Sequence, residues 1–564
     1  MKFKIIGENN YNDNAIQTIF QNRGVHDFET LLNVDKSHTH HWSLLANIKE
    51  AAKKLIEHLN KGHKIFVKVD SDCDGYSSST ILINYILKIF PSANIEWQLQ
   101  EGKEHGIKVE DIPEDVDVVI IPDAGTNQNN EHKQLFDKGI DVIVLDHHEA
   151  DYAVREYAIV VNNQLSPMYP NKNFSGAGIV YKFCEALDTI LNVSYAEEFL
   201  DLVAVGNIGD MMDLRELETR YYVKEGLKQI KNPLLKAIIE KQEYSMGSVV
   251  NINNVAFYVV PLINAAVRFG TKDEKVAMMK SFLGHEEQVY YERNDEFEDL
   301  HTSVARALTN IRSRQNRPKA KSVPIIETHI KEMEMLDDKA FVIDVTKVLD
   351  KTLTGLVANQ IARKYRRPII FLRKQKNGLY GGSARGYGNG EVKDFRQFLL
   401  SSNLFNMCEG HDNAFGIEIK EENIEELHKY INNNLTEEIE FDSYEVDFII
   451  QAKDLTKNLI GQIAAFRDEW GSVLNEPKIA IVDLSFSYDD ISLHGKKKNI
   501  LKMNYNGIEF IKYFYNEEKF KSTFAGGDNF YMDVLGKFKI NEWQGKQTAQ
   551  IVIEEFDVEA ALPF

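Results

Sequence analysis

The sequence predicts a multi-domain α/β protein, and three observations carry the prediction. Its 564 residues exceed what one hydrophobic core serves, because cores stop growing at roughly 250–300 residues. Strand-like and helix-like periods alternate through the first half and again in a later segment, the pattern of βαβ units around a parallel sheet. Toward the C-terminus short alternating runs take over, the pattern of a small β domain.

The elements follow in order. Residues 1–60 read as an N-terminal helical segment, with Leu44, Ile48, Ala51, Leu55 and Leu59 at helical spacing. Residues 61–284 read as the parallel-sheet domain, with strands at 65–69, 118–121, 142–145 and 159–161 and helices at 79–90, 176–187 and 196–208. Residues 285–335 read as a long connecting helix and linker, since 285–315 holds neither Gly nor Pro and Pro318 follows. Residues 336–440 read as a second α/β domain: strand 340–345, helix 355–365, strand 368–373, a glycine-rich stretch at 381–390 and a helix at 392–400. Residues 441–564 hold the alternating runs 444–450, 478–486, 529–538 and 549–556.

Composition removes several function classes. A formal net charge of -20 argues against a protein that coats DNA through bulk charge. It leaves room for a local basic channel on an acidic exterior. The three cysteines are scattered, so no CxxC zinc spacing or disulfide framework is expected, and a reducing cytoplasm fits. No apolar run approaches a membrane span of about 20 residues, so no membrane association is expected. Neither a GxxxxGK[ST] phosphate loop nor a GxSxG nucleophile turn is present.

The chemical signal is acidic. Asp70, Asp72 and Asp74 follow the strand at 65–69, in VKVDSDCDGYSSST, where open α/β sheets bind ligands. Their alternation suggests that strand geometry keeps them on one side. Carboxylates so close repel unless a cation neutralises them. Asp123 ends the next strand, in VVIIPDAGTNQ; Asp146, His147 and His148 end another, in DVIVLDHHEAD. In GNIGDMMD either Asp210 or Asp213 could complete the shell. Mixed imidazole and carboxylate suits manganese better than calcium, with zinc or magnesium open. Two divalent cations would use this many ligands and would serve phosphoryl displacement.

In order and spacing, DSDCDG, PDAG, DHHE and GNIGD resemble the four motifs of the DHH phosphoesterase superfamily. GLVANQIARKYRRP, GGSARG and EGHDNAFG resemble its companion DHHA1 domain. PLINAAVRFG at 261–270 and FQNRGVHDFETLLN at 20–33 resemble the RecJ branch, and 441–564 resembles its oligonucleotide-binding (OB) barrel. The resemblance implies a parallel-sheet DHH domain, a DHHA1-like substrate-binding domain and an OB-like β-barrel. It implies a 5′→3′ exonuclease specific for single-stranded DNA, using Mn²⁺ or Mg²⁺ and releasing 5′-mononucleotides. Asp70, Asp72, Asp74, Asp123, His147 and Asp210 would hold two cations; Asp74 would also belong to the catalytic group. His148 would face the scissile phosphate, with Asp146 orienting a histidine. Arg268, Ser383, Arg385 and His411 would contact substrate. Departures are His105, where a Tyr is common, Val267 for Gly, and Glu409 in the usual Gly-Gly-His.

Single-stranded DNA is the expected partner, with a helicase or single-strand-binding protein as a further one. The C-terminal run KKKNILKMNYNGIEFIKYFYNEEKFKSTF interleaves aromatics with lysines, which suits stacking on bases. A sister activity on short oligoribonucleotides or cyclic dinucleotides is the alternative within the superfamily. A replication scaffold without catalysis is the alternative of another class.

Overall fold

The computed structural model describes residues 1–564 except 101–104, 152–154, 248, 388–391, 436–442, 526, 544 and 561–564, and excepting also the side chains of His411, Trp543 and Ala560. The chain divides into two compact units. One comprises Met1–Val267, Thr271–Ala307 and Ser443–Phe564; the other comprises Arg268–Gly270 and Leu308–Asp442.

The first unit contains a five-stranded parallel sheet in the order Asn94–Leu99, Lys64–Val69, Val118–Pro122, Asp141–Asp146, Ile159–Asn162. Its central strands are buried along nearly their whole length, as a sheet covered on both faces requires, which explains their unbroken Val/Ile runs. The strand order reverses between Lys64–Val69 and Val118–Pro122, so a crevice opens at their C-terminal ends. Helices Cys73–Ile89, Gly176–Leu191 and Leu200–Gly209 pack on one another beside it. Helix Ile48–Lys61 buries Ile48, Ala51, Leu55 and Leu59, the stripe read from the sequence; Leu44 falls in a preceding 3₁₀ turn.

The same unit holds a seven-stranded sheet in the order Phe448–Gln451, Ile479–Ser487, Asn529–Trp543, Lys546–Ala560, Ile508–Tyr513, Ile500–Tyr505, Ile491–His494. Its core includes residues from the other end of the chain. Tyr11, Ile19, Phe20 and Leu31 pack with Trp470, Phe486 and Phe538, and strand Lys2–Ile5 pairs in parallel with Ser443–Val446. That strand carries no clear sequence signal, because four residues alternating with lysine are too few to show a period.

The predicted helix at 285–315 begins later and ends later. Gln288–Tyr291 and Glu296–Asp299 form a hairpin, turned at Asp295 with φ 53° and held by Tyr290 against Phe297. The helix runs Leu300–Glu332, through Pro318 and Pro324. Each proline removes a ladder hydrogen bond and would end an isolated helix. Burial of Ile311, Val323, Ile326 and Ile330 along one face outweighs that loss.

One described helical run, Ile252–Phe269, is long and apolar enough by composition to cross a membrane, although no unbroken apolar stretch marks it in the sequence. Ile252, Val255, Val259 and Ile263 along it are buried within the protein, and core helices pass the same compositional test.

The second unit is a five-stranded mixed sheet ordered Phe405–His411, Ala414–Ile419, Tyr380–Arg385, Ile369–Lys374, Phe341–Asp344. Alternation gives it two cores: Ile343, Ile369 and Phe371 on one face, Val342, Ile370 and Leu372 on the other. Of the glycine-rich stretch, 381–385 belongs to a strand, and 388–390 lies outside the described residues.

Candidate metal centre

The three aspartates of DSDCDG come together by a route other than strand alternation. The strand stops at Val69, and Asp70 follows it. Asp72 is the N-cap of helix Cys73–Ile89, its carboxylate accepting the Gly75 N–H at 2.9 Å. Asp74 lies in the first turn, where helical N–H groups favour a negative charge. It also accepts the Gly176 and Ala177 N–H groups, at 2.6 and 3.0 Å, from the start of a second helix.

Asp123 ends its strand in the left-handed region, φ 63°, which aspartate tolerates better than most residues. It is 1 % exposed, and among the described residues neither carboxylate oxygen has a hydrogen-bond partner. His147 Nε2 lies 3.2 Å from Asp123, 3.3 Å from Asp210 and 3.9 Å from Asp74. Asp210 sits at the C-terminus of helix Leu200–Gly209. Asp213 turns to Arg215, whose Nε and Nη2 donate to it at 3.0 and 2.6 Å. The structure thus brings Asp210, not Asp213, to the cluster.

Close backbone approach makes room for this. A Cβ on Gly176 would stand 2.4 Å from an Asp123 oxygen, and one on Gly206 2.3 Å from an Asp74 oxygen. Ligand-capable atoms of Asp74, His147 and Asp210 converge, as do those of Asp70, Asp72 and Asp123, and those of Asp123, Asp146, His147 and His148.

The electrostatics are those of a site needing positive charge. Burial raises the Asp123 carboxyl well above its ordinary range, and the charges of Asp74, Asp72, Asp70 and Asp210 raise it further. Asp72 and Asp210 are raised by burial and by neighbouring carboxylates, and Asp74 is pushed up to about 6. A buried carboxylate without a hydrogen bond, among like charges and beside an imidazole nitrogen, fits a divalent cation, and the oxygen-plus-imidazole donor set fits manganese or magnesium.

Asp146 does something different. It accepts the His147 and His148 N–H groups at 2.7 and 3.1 Å, the Thr126 N–H at 3.0 Å and His148 Nδ1 at 2.8 Å. Burial would raise this carboxyl, but those donors and the imidazolium charge hold it well below the usual range. Burial likewise works against His148, yet the bond and charge of Asp146 raise it to about 10. In the metal-free protein Asp146→Asn should return His148 toward its ordinary range near 6.5, read by NMR titration of the imidazole. An unchanged value near 10 would contradict the pairing. The folded His148 value lies above the unfolded one, so this ion pair stabilises fully below about pH 6.5 and weakens as pH rises through about 10.

Two residues beyond the acidic motifs support the centre. His105 Nδ1 donates to Asp70 at 3.0 Å, and that bond raises the imidazole against the effect of burial. The sequence marks it only as a departure from Tyr. Asn264 accepts the Cys73 N–H at 3.1 Å, pinning the DSDCDG turn; its signal is the PLINAAVRFG segment.

In the second unit, Ser383 Oγ lies 3.1 Å from Thr354 Oγ1, and Arg385 borders Gly355, where a Cβ would meet the guanidinium at 2.4 Å. Arg385 and His411 stand in one row across the sheet, both opposite Ala414. Beyond that backbone register, the His411 side chain lies outside the described residues. Arg268 ends helix Val260–Phe269 and adds its charge to the surroundings of Arg385.

Comparison with known proteins agrees with this picture. Residues 64–207 match the DHH family, N-terminal domain, and residues 446–555 match the RecJ OB domain. The chain is 45% identical over 567 residues to the SPbeta prophage protein YorK of Bacillus subtilis, whose name assigns it as a single-strand DNA-specific exonuclease; the match covers 99% of this chain and 98% of that one. It is 25% identical over 535 residues to the single-stranded-DNA-specific exonuclease RecJ of Bacillus subtilis, covering 91% of this chain and 63% of the relative. The crystal structure of RecJ in complex with Mn²⁺ from Thermus thermophilus superposes with a TM-score of 0.71 at 21% identity, over 97% of this chain and 76% of that one, which shows the shared fold. The chain belongs to the DHH family, in its RecJ branch of single-stranded-DNA-specific exonucleases.

Proposed function

We propose that the protein is a metal-dependent exonuclease that degrades single-stranded DNA from its 5′ end and releases 5′-mononucleotides. The observation that carries this reading is the buried Asp123 carboxylate, without a hydrogen bond among the described residues and 3.2 Å from His147 Nε2, gathered with Asp70, Asp72, Asp74 and Asp210. Those six residues would hold two divalent cations. Bound there, the cations would supply an activated water and neutralise charge on the attacking and leaving oxygens.

The remaining work belongs to the chain itself. Asp146 engages His148 Nδ1, so His148 keeps Nε2–H to donate to a phosphate oxygen. The raised imidazole stays protonated at neutral pH, so this donor is also a positive charge. Arg268, Ser383, Arg385 and His411 would bind the strand's phosphates, Arg385 in bidentate fashion. The OB domain would hold the single strand beyond. The same reading implies a protein that works in the cytoplasm, with a helicase or a single-strand-binding protein as a partner on DNA.

Polarity is tested by digesting single strands labelled at either end in Mn²⁺ or Mg²⁺. Degradation from the 5′ end should release a 5′ label at once as mononucleotide and shorten a 3′-labelled strand progressively. Immediate release of the 3′ label would reverse the assignment.

A further inference from the structure

The cations of the second unit extend beyond Arg268 and Arg385. On helix Leu300–Glu332, Arg312, Gln315 and Lys319 fall on one face, two turns from first to last. Gln315 is buried, and its Oε1 accepts Arg312 Nη1 at 3.0 Å, fixing the guanidinium. Arg312 and Lys319 are half-buried, whereas Arg314 and Arg317 between them are exposed. Arg385 occupies the space left by Gly355.

These groups are neighbours of one another, and their surroundings disfavour positive charge. Burial, and after it the Arg268 charge, together lower Arg385 to about 10. Burial and the same Arg268 lower Arg312; burial and Arg312 lower Lys319. The electrostatic order is therefore Arg385, Arg268, Arg312, Lys319. Among the described residues no carboxylate pairs with Arg312, Lys319 or Arg385. Half-buried like charges without a counter-ion are costly, and they persist where an anion is to be bound.

We propose that Arg312 and Lys319 extend the Arg268–Arg385 pair into a track for the backbone phosphates of single-stranded DNA, each cation meeting a phosphate further along the strand. The spacing suits separate phosphates: seven helical residues span roughly 10 Å, about three steps at the roughly 3.4 Å per nucleotide of one duplex strand. No one phosphate can meet both side chains from directly above their Cα atoms. The track rests on the exonuclease reading above, and it adds a reason for preferring long strands to dinucleotides.

The test uses the full chain carrying Asp123→Asn, which blocks cleavage, in Mn²⁺. Fluorescence anisotropy follows 5′-phosphorylated oligodeoxythymidylates, a dinucleotide and a 12-mer, across a KCl series. Adding Arg312→Gln and Lys319→Gln should weaken 12-mer binding about ten-fold at low salt. It should also lower the slope of log K against log salt by about 1.4, roughly 0.7 for each phosphate no longer neutralised. Dinucleotide affinity should change far less. Arg317→Gln, on the exposed side, should leave the slope as it is. The charge-keeping pair Arg312→Lys with Lys319→Arg should restore it, which separates missing charge from failed folding. An unchanged slope, equal weakening of both lengths, or no restoration overturns the track. Failure of the unsubstituted enzyme to cleave any labelled strand overturns the exonuclease reading instead, and the anisotropy still reads the track.

Discussion

Asp123→Asn should reduce cleavage of single-stranded DNA on the order of 10³-fold or more, because it removes a charge on which the cation cluster and its electrostatic stabilisation depend. Asparagine is the appropriate replacement. It keeps the shape and tolerates φ 63°, whereas alanine would add backbone strain. Affinity for the strand, measured by anisotropy, should stay within about two-fold, since Lys and Arg contacts to phosphate dominate it. The variant should also lose the thermal shift that Mn²⁺ gives the parent. Without metal the effect on folding should reverse. One buried charge fewer among Asp70, Asp72, Asp74 and Asp210 relieves repulsion, so the metal-free variant should melt above the metal-free parent. Cleavage within ten-fold of the parent would show that the centre has been placed wrongly.

Metal removal should have an equally large effect on activity and a pH-dependent effect on stability. Chelation should abolish cleavage, and Mn²⁺ or Mg²⁺ should restore it. Asp72, Asp74, Asp123 and Asp210 are all raised in the folded protein, Asp74 to about 6. The folded state therefore binds these protons more tightly than the unfolded state. Their contribution is fully present below the unfolded value of about 3.9 and is lost as pH rises through the folded values. Thermal melts in chelator between pH 4 and pH 8 should show the parent falling more steeply with rising pH than Asp123→Asn. The comparison cancels surface carboxylates common to both. Metal at about one hundred times its Kd should add about 2.7 kcal/mol. Parallel curves for the two proteins would mean that the cluster does not carry this charge.

Strand-end acidity is legible because it is local. A strand period ends, an aspartate follows, and a sheet in this order gathers such ends into one crevice. The choice between Asp210 and Asp213 is not legible. It depends on Arg215 lying two residues beyond Asp213 and folding back onto it, a side-chain event without a periodic trace. The route that gathers Asp70, Asp72 and Asp74 is hidden for a related reason: alternating aspartates look alike in a strand and across a strand–cap–helix corner. Helix Leu300–Glu332 shows tertiary burial overriding proline, and its upstream hairpin shows two short strands hidden in a charged run. His105 carries only a mismatch with relatives, and its bond to Asp70 spans 35 positions.

The pairing of Lys2–Ile5 with Ser443–Val446, and the burial of Phe20 beside Trp470, bear on how the chain is made. A ribosome adding about 5–20 residues each second would need roughly 20–90 s to deliver the partner strand after the first one emerges. For that interval the opening segment lacks its neighbours from the C-terminal sheet, and Phe20, Ile19 and Tyr11 wait without the partners they take there. The C-terminal sheet, expressed alone from residue 441, would lack those side chains from its core. A fragment meant to report on its DNA binding would need residues 1–32 supplied in trans or fused to it.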